Sequence, residues 1–103
     1  MGTFIQVARS TDLAPGRALA AEVGGRTVAV FRTAQCLYAI DDTCTHSGGP
    51  LSEGEVEGTT VTCPWHGARF DLATGAHRDE MASSDLRCYA VRDRDGALEI
   101  EAP

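Results

Sequence analysis

The amino-acid sequence predicts an all-β protein, and three observations support this fold class. Two dipeptides, Gly24-Gly25 and Asp95-Gly96, separate strand-like segments and are typical of two-residue hairpin turns. No stretch carries an apolar stripe with helical spacing over three turns. The segment from Asp41 to Gly75 contains six glycines, at positions 48, 49, 54, 58, 67 and 75. We therefore expect a β framework built from both ends of the chain, with a glycine-rich loop region between them.

The first hairpin is predicted to join Ala18–Val23 to Arg26–Arg32 through Gly24-Gly25. Within the second of these strands, both alternating faces of Thr27–Phe31 are apolar. Such a strand is typical of one that is covered on both sides.

The second hairpin is predicted to join Cys88–Arg92 to Ala97–Glu101 through Asp95-Gly96. In its last strand, Leu98 and Ile100 alternate with two glutamates. This alternation indicates a strand with one buried face and one face in water.

Length, composition and charge exclude several classes of protein. The chain has 103 residues, so residues 1–103 are expected to form a single domain. No apolar run approaches the roughly 20 residues of a transmembrane helix, and the N-terminal segment lacks the features of a signal peptide. The net charge of −6, with 15 acidic residues against 9 arginines, disfavours binding to nucleic acid. We expect a soluble, cytoplasmic protein without membrane contact.

The four cysteines differ in their neighbours. Two belong to short motifs with histidine, Cys44-Thr45-His46 and Cys63-Pro64-Trp65-His66, while Cys36 and Cys88 have no such neighbour and are expected to be buried and inert. Without an export signal, a disulfide framework is not expected. Two facing loops of this kind predict a site with two thiolates and two imidazoles. Such a site suits either a tetrahedral zinc ion or a two-iron cluster with mixed ligands.

The two motifs resemble the cluster-binding boxes of Rieske [2Fe–2S] proteins. The similarity covers Cys44-Thr45-His46-Ser47-Gly48-Gly49-Pro50-Leu51 and Cys63-Pro64-Trp65-His66-Gly67-Ala68-Arg69-Phe70, and it extends to Ser52-Glu53-Gly54 and Asp71-Leu72-Ala73-Thr74-Gly75. The resemblance implies one [2Fe–2S] cluster, with Cys44 and Cys63 on one iron and His46 and His66 on the other. It also implies the Rieske fold, an antiparallel β-sandwich base carrying a small loop-rich cluster-binding subdomain at about residues 42–80.

Departures from the respiratory branch of the family narrow the expected function. That branch has an extra cysteine in each box, and Gly49 and Trp65 stand at those positions here. It also has a serine and a tyrosine whose hydroxyls donate to the cluster sulfurs, and Ala68 and Phe70 replace them. Since such donors stabilise the reduced form, we expect a potential near the low end of the Rieske range, roughly −150 mV, with little pH dependence near neutrality.

The resemblance to the oxygenase-type ferredoxins implies a one-electron carrier without catalytic residues of its own. Its implied partners are a flavin-dependent ferredoxin reductase and a terminal Rieske non-haem iron oxygenase of the aromatic-ring dioxygenase type. A carrier that visits two partners works well as a monomer. Two alternatives remain open at this point: the small subunit of an assimilatory nitrite reductase, and a structural zinc-binding module.

The segment between Arg32 and Arg69 is acidic. It contains no lysine or arginine, but five carboxylates: Asp41, Asp42, Glu53, Glu55 and Glu57. These residues form either an acidic docking face for basic partners or an ordinary solvated surface. A decrease in electron-transfer rate with rising salt would favour the docking face. The segment Met81-Ala82-Ser83-Ser84 stands where the family often has a proline-bearing loop over the cluster.

Overall fold

The computed structural model describes residues 3–34, 36–44, 48–65, 67–78 and 85–102. Two of the predicted ligands, His46 and His66, and the segment Met81-Ala82-Ser83-Ser84 lie outside these residues. Within the described ranges, the regular elements are β-strands and two 3₁₀ turns, which confirms the all-β prediction. None of the helical elements in these ranges is long and apolar enough to cross a membrane.

The strands form three antiparallel sheets. In chain order they are β1 (Phe4–Arg9), β2 (Arg17–Val23), β3 (Arg26–Arg32), β4 (Leu37–Asp41), β5 (Glu55–Glu57), β6 (Thr60–Thr62), β7 (Arg69–Asp71), β8 (Cys88–Tyr89), β9 (Val91–Arg94) and β10 (Ala97–Glu101). The 3₁₀ turns span Ser10–Asp12 and Leu51–Glu53. The sheets have the strand orders β1-β10-β9, β2-β3-β4-β8 and β5-β6-β7.

The first predicted hairpin is confirmed. Strands β2 and β3 pair over their whole length, from Arg17 opposite Arg32 to Val23 opposite Arg26. Gly24 and Gly25 connect them with φ angles of 58° and 82°, the left-handed conformation that such a tight turn requires.

Strand β3 is buried on both faces, as its sequence predicts. Its Val28 and Val30 belong to one hydrophobic core, and its Ala29 and Phe31 belong to another. The first core also contains Leu98 and Ile100 of β10, so the sheet of β3 packs on the terminal sheet as a sandwich. The second core is shared with the middle third of the chain. The β2-β3-β4-β8 sheet is therefore the central layer of the molecule.

The second hairpin has the predicted turn but a divided first strand. Asp95 and Gly96 have φ angles of 52° and 89° and join β9 to β10. The predicted strand Cys88–Arg92 is interrupted at Ala90, because its two halves pair with different partners. The first half, β8, pairs with β4, and the second half, β9, pairs with β10. The chain crosses from the central sheet to the terminal sheet at this point.

The middle third contains more regular structure than its glycine content indicates. Strands β5, β6 and β7 form a small sheet between β4 and β8 in the chain. Each of these strands has three residues, and a segment of that length is too short to show an alternating pattern.

The expectation that Cys36 and Cys88 are buried is wrong, since both are exposed. Cys36 closes a tight turn, in which its N–H donates to Oγ1 of Thr33 at 3.1 Å. Cys88 lies on β8, an edge strand of the central sheet. A turn and an edge strand leave their side chains accessible, although cysteine is on average a buried residue.

Candidate metal centre

Cys44 and Cys63 are buried in one hydrophobic core. Each is only 2% exposed, so water has little access to either thiol. The core joins residues of the central sheet to residues of the middle third, namely Ala29, Phe31, Ile40, Leu51, Val61, Ala68, Phe70, Leu72 and Leu86. The fold thus brings together two of the four predicted ligands, which are 19 positions apart in the sequence.

The first of these cysteines opens the Cys44 loop, defined as residues 44–49. The N–H of Cys44 donates to the carbonyl of Gly49 at 3.0 Å, and the N–H of Gly48 donates to the carbonyl of Cys44 at 2.9 Å. Gly48 has a φ of 78°, which an L side chain rarely adopts. These two bonds turn the chain back within six residues.

The Cys63 loop, defined as residues 63–68, has the same hydrogen bonds in the same register. The N–H of Cys63 donates to the carbonyl of Ala68 at 2.8 Å, and the N–H of Gly67 donates to the carbonyl of Cys63 at 3.1 Å. Gly67 has a φ of 81°, nearly equal to that of Gly48. The two cysteines therefore begin loops that are closed by the same two hydrogen bonds and by a left-handed glycine at the same position.

The two loops contact each other at Gly49. A Cβ atom placed on this glycine would lie 2.8 Å from Sγ of Cys63 and 2.9 Å from the Trp65 ring. These distances are shorter than real Cβ contacts, so only glycine allows this approach. Gly49 and Trp65 are the positions at which the respiratory branch has its extra cysteines, and here they pack against each other.

The indole of Trp65 covers Gly49 on one side and faces solvent on the other. Its side chain is 58% exposed, the largest apolar side chain to be so exposed in the described part of the molecule. The contact with Gly49 places the indole beside the point where the two loops meet, and its exposed face offers an apolar contact to other molecules.

No side-chain hydroxyl is present at either of the two positions that carry one in the respiratory branch. Ala68 and Phe70 are both completely buried in the core that holds the thiols. Their side chains can donate no hydrogen bond to sulfur. The surroundings of Cys63 are consequently apolar on this side.

The acidic residues of the middle third do not all lie at the surface. Glu53, Glu55 and Glu57 are exposed, as a docking or solvated face requires. Asp42, in contrast, is buried at 7% exposure, and Asp41 is half-buried. The acidic surface predicted from the sequence is therefore limited to the three glutamates.

Asp41 joins three elements of the central sheet near the Cys44 loop. Its carboxylate accepts the hydroxyl hydrogen of Tyr89 and lies 3.5 Å from the guanidinium of Arg26. Burial raises the pKa of Tyr89 to about 12, and the hydrogen bond and charge of Asp41 add to this shift. Tyr89 therefore stays protonated over the physiological pH range.

His77 is a surface residue. It bridges to Phe70 through the backbone, and its N–H donates to Asp85 at 3.0 Å. The same carboxylate also contacts the imidazole. These hydrogen bonds from His77 hold the pKa of Asp85 below its usual value.

The donor chemistry fits a metal that prefers sulfur. Two buried thiols on adjacent loops supply soft ligands, and the apolar core around them limits access of water. Asp42, which lies two residues before Cys44 and is buried like it, was not predicted from the sequence to belong to the site. Because it is charged, it was counted among the acids expected at the surface. No local sequence pattern distinguishes a buried aspartate from an exposed one.

Comparisons with known proteins agree with this geometry. Residues 3–90 match the family model described as the Rieske [2Fe–2S] domain. Ferredoxin CarAc of Metapseudomonas resinovorans is 32% identical over 98 residues, which cover 94% of this chain and 92% of that protein. The curated relatives also include ferredoxin components of naphthalene dioxygenase systems.

Solved structures show the same fold. The ferredoxin of carbazole 1,9a-dioxygenase from Nocardioides aromaticivorans IC177 has a TM-score of 0.89 and 32% identity, with 98% of each chain covered. A complex of reduced oxygenase and oxidised ferredoxin in carbazole 1,9a-dioxygenase gives a TM-score of 0.87 at 30% identity, covering 98% of this chain and 94% of the matched chain. Structures described as nitrite reductase small subunits are 21% and 22% identical, and this likeness concerns the fold alone.

Proposed function

Because the chain belongs to the Rieske [2Fe–2S] domain family, we propose that Cys44 and Cys63 bind one iron of the cluster and that His46 and His66 bind the other. The matching hydrogen bonds of the two loops and the burial of both thiols support this assignment. Both histidines belong to the same loops in the sequence. The mixed ligand set distinguishes a Rieske centre from an all-cysteine ferredoxin centre.

We further propose that residues 42–80 form the cluster-binding subdomain of a single domain. Both loops and the β5-β6-β7 sheet fall within this range, between β4 and β8 of the central sheet. The family is an iron–sulfur family, which disfavours the structural zinc-binding module.

The function is one-electron transfer, and the protein is not itself a catalytic subunit. A bound [2Fe–2S] cluster takes up and releases one electron at a time. The chain supplies two thiols in a dry core and two loops that approach through Gly49. The observation that carries this conclusion is the matching pair of loops around buried cysteines, in a chain whose relatives are ferredoxin components of dioxygenase systems.

The surroundings of Cys63 predict a low reduction potential. Since Ala68 and Phe70 are buried and carry no hydroxyl, their side chains do not stabilise the additional negative charge of the reduced form. We expect a value near the low end of the Rieske range, roughly −150 mV.

The partners that we propose are a flavin-dependent reductase as electron donor and a terminal Rieske non-haem iron oxygenase of the aromatic-ring dioxygenase type as acceptor. A relative forms a complex with its oxygenase, which supports the acceptor class. Three exposed glutamates and the exposed indole of Trp65 offer charge and apolar area for docking to a basic partner. We place this exchange in the cytoplasm, with the carrier as a monomer.

A reductive titration tests the carrier function. Dithionite added anaerobically to the purified protein, with visible absorbance as the readout, is expected to deliver one electron per chain, and air is expected to remove it reversibly. A protein that binds iron and sulfide but takes up no electron would contradict the proposal.

Stopped-flow mixing tests the partner class and the acidic face. The reduced protein is mixed with the terminal oxygenase of carbazole 1,9a-dioxygenase from Nocardioides aromaticivorans, and its reoxidation is recorded at low and high salt. We expect reoxidation, with a rate that decreases as salt screens the glutamates. A rate independent of salt would assign these glutamates to an ordinary solvated surface.

A further inference from the structure

Asp42 is the one charged side chain that is buried within the described ranges, at 7% exposure. Burying a carboxylate is costly unless hydrogen bonds compensate for the lost water. Asp42 precedes Cys44 by two residues, so their Cα atoms lie within about 7 Å of each other. A buried charge at this distance from a proposed iron ligand calls for a structural or electrostatic role.

The hydrogen bonds of Asp42 connect the central sheet to the Cys44 loop. Its N–H donates to the carbonyl of Thr27 in β3 at 3.0 Å. Its carbonyl accepts the N–H of Leu51 at 2.7 Å, and its Oδ1 accepts the N–H of Ser52 at 2.7 Å. One residue thus fastens the start of the loop to the sheet below it and to the turn that follows it.

These bonds complete a short stem below the loop. Residues 42–44 run antiparallel to residues 49–51, with Thr43 opposite Pro50 and with the Cys44 to Gly49 hydrogen bond at the upper end. Thr43 and Pro50 form a non-hydrogen-bonded pair, flanked by the bond from Cys44 to Gly49 and the bond from Leu51 to Asp42, so the missing N–H of Pro50 removes no bond from the stem. The carboxylate of Asp42 adds a bond beyond the lower end of the stem, where it reaches Ser52.

We propose that Asp42 is a positioning residue of the electron-transfer centre, which fixes the Cys44 loop and also lowers the reduction potential through its buried negative charge. This inference rests on the proposed function. Two ferric ions, two sulfides and two thiolates sum to a neutral oxidised cluster, and reduction adds one negative charge. A nearby carboxylate opposes that added charge, and burial reduces the screening by water.

The variant Asp42→Asn separates the charge from the hydrogen bond. Asparagine retains an oxygen that can accept the N–H of Ser52, but it is neutral. We expect this variant to bind the cluster and to shift its reduction equilibrium about tenfold toward the reduced form. For one electron, that shift is a rise of 59 mV in the reduction potential. The measurement is a spectroelectrochemical titration of the loaded protein at fixed pH and ionic strength.

The matched control is Glu53→Gln, which removes an equal charge from an exposed residue of the 3₁₀ turn that Asp42 contacts through Ser52. Solvent screens that position, so the reduction equilibrium of Glu53→Gln should differ from that of the unmodified protein by less than twofold. If Asp42→Asn changes the potential no more than Glu53→Gln does, the electrostatic role is refuted. Absence of iron and sulfide from the unmodified protein would instead refute the proposed function.

A second measurement needs no variant at Asp42. Hydrogen exchange, followed by mass spectrometry on the loaded unmodified protein, reports whether the amides of Leu51 and Ser52 are protected. The two hydrogen bonds to Asp42 predict slow exchange at both positions, comparable to that of amides in β6. Rapid exchange at both would show that Asp42 does not fix this segment, and would overturn the positioning role whether or not Asp42→Asn folds.

Discussion

The Cys44 loop and the Cys63 loop are closed by the same hydrogen bonds and differ in their attachment to the rest of the fold. Both turn back through a cysteine carbonyl bonded to a left-handed glycine four residues later. The Cys63 loop connects β6 to β7, which pair at three positions below it. The Cys44 loop is based on a stem with one isolated bridge, between Thr43 and Pro50, and on the side chain of Asp42.

This difference shows which part of the geometry depends on the local sequence. In both loops a left-handed glycine lies four residues after the cysteine and donates to its carbonyl, although different structures lie below the two loops. The position of the loop within the molecule depends on that structure, for which a β-ladder and a buried carboxylate are two solutions. We therefore expect the Cys44 loop to respond more strongly to changes in the central sheet.

The largest effect is expected from removing the thiols. Cys44→Ser and Cys63→Ser should each abolish cluster binding, because a hydroxyl is a poor substitute for a thiolate on iron. Iron and acid-labile sulfide assays on the purified variants provide the measurement. Cys36→Ser and Cys88→Ser are the controls and should retain full iron content, since both side chains are exposed and outside the loops. If a control variant lost as much iron, the two loop cysteines would not differ in role from the two exposed cysteines.

A large effect is also expected at the contact between the loops. In Gly49→Ala the new methyl group would overlap Sγ of Cys63 and the Trp65 ring. Such overpacking costs about 1–3 kcal/mol, so the loaded protein should have a lower melting temperature and lose iron sooner on heating. The corresponding position of the other loop already holds Ala68. If Gly49→Ala left the melting temperature unchanged, the two loops would not be in contact at this position.

The left-handed glycines test whether the loops are equivalent. Gly48→Ala and Gly67→Ala both place a side chain in a strained conformation, and among the described residues beyond the chain neighbours no atom lies within 4 Å of the new Cβ in either case. Each should cost about 1–2 kcal/mol of stability, and the two costs should be equal within error. Chemical denaturation followed by circular dichroism measures both costs. If the two costs differ clearly, the two loops are strained to different extents despite their matching hydrogen bonds.

The smallest effect is expected in the central sheet below the Cys44 loop. Tyr89→Phe removes the hydroxyl that donates to Asp41 and should cost about 1 kcal/mol. Tyr89 has a pKa of about 12 in the folded protein, above the value near 10 of an unfolded chain. The contribution of the Tyr89 hydroxyl to folding stability is therefore complete below pH 10 and decreases as the pH rises toward 12.

The stability difference between the unmodified protein and Tyr89→Phe should accordingly shrink between pH 10 and pH 12. Denaturation midpoints of both proteins at several pH values in this window provide the measurement. A difference that stays constant to pH 12 would contradict the raised pKa of Tyr89.

The sequence predicted those parts of the fold in which a short pattern determines a local structure. Gly24-Gly25 and Asp95-Gly96 marked their turns because few other residues adopt such backbone angles. The apolar faces of Thr27–Phe31 predicted a doubly covered strand, because each face must meet a separate core. The two cysteine motifs identified the candidate site, since their residue types carry the chemistry directly.

The remaining features depend on tertiary contacts that no short pattern encodes. The break at Ala90 exists because the chain changes sheets, and the three-residue strands β5–β7 are stabilised by pairing with neighbouring strands. Cys36 was expected to be buried from the average behaviour of cysteine, but a turn exposes it. Asp42 was grouped with surface acids, because burial of its charge depends on the hydrogen bond from the N–H of Ser52 to its carboxylate, which forms only in the folded stem.

The central claim is that the two loops jointly hold one [2Fe–2S] cluster through two cysteines and two histidines. Low-temperature EPR of anaerobically purified, dithionite-reduced protein tests it most directly, with iron, sulfide and zinc assayed on the same sample. The account predicts iron and sulfide in the [2Fe–2S] stoichiometry and the anisotropic signal of low average g value that mixed ligation gives. An EPR-silent sample that contains zinc and no sulfide, or the signal of an all-cysteine cluster, would contradict it.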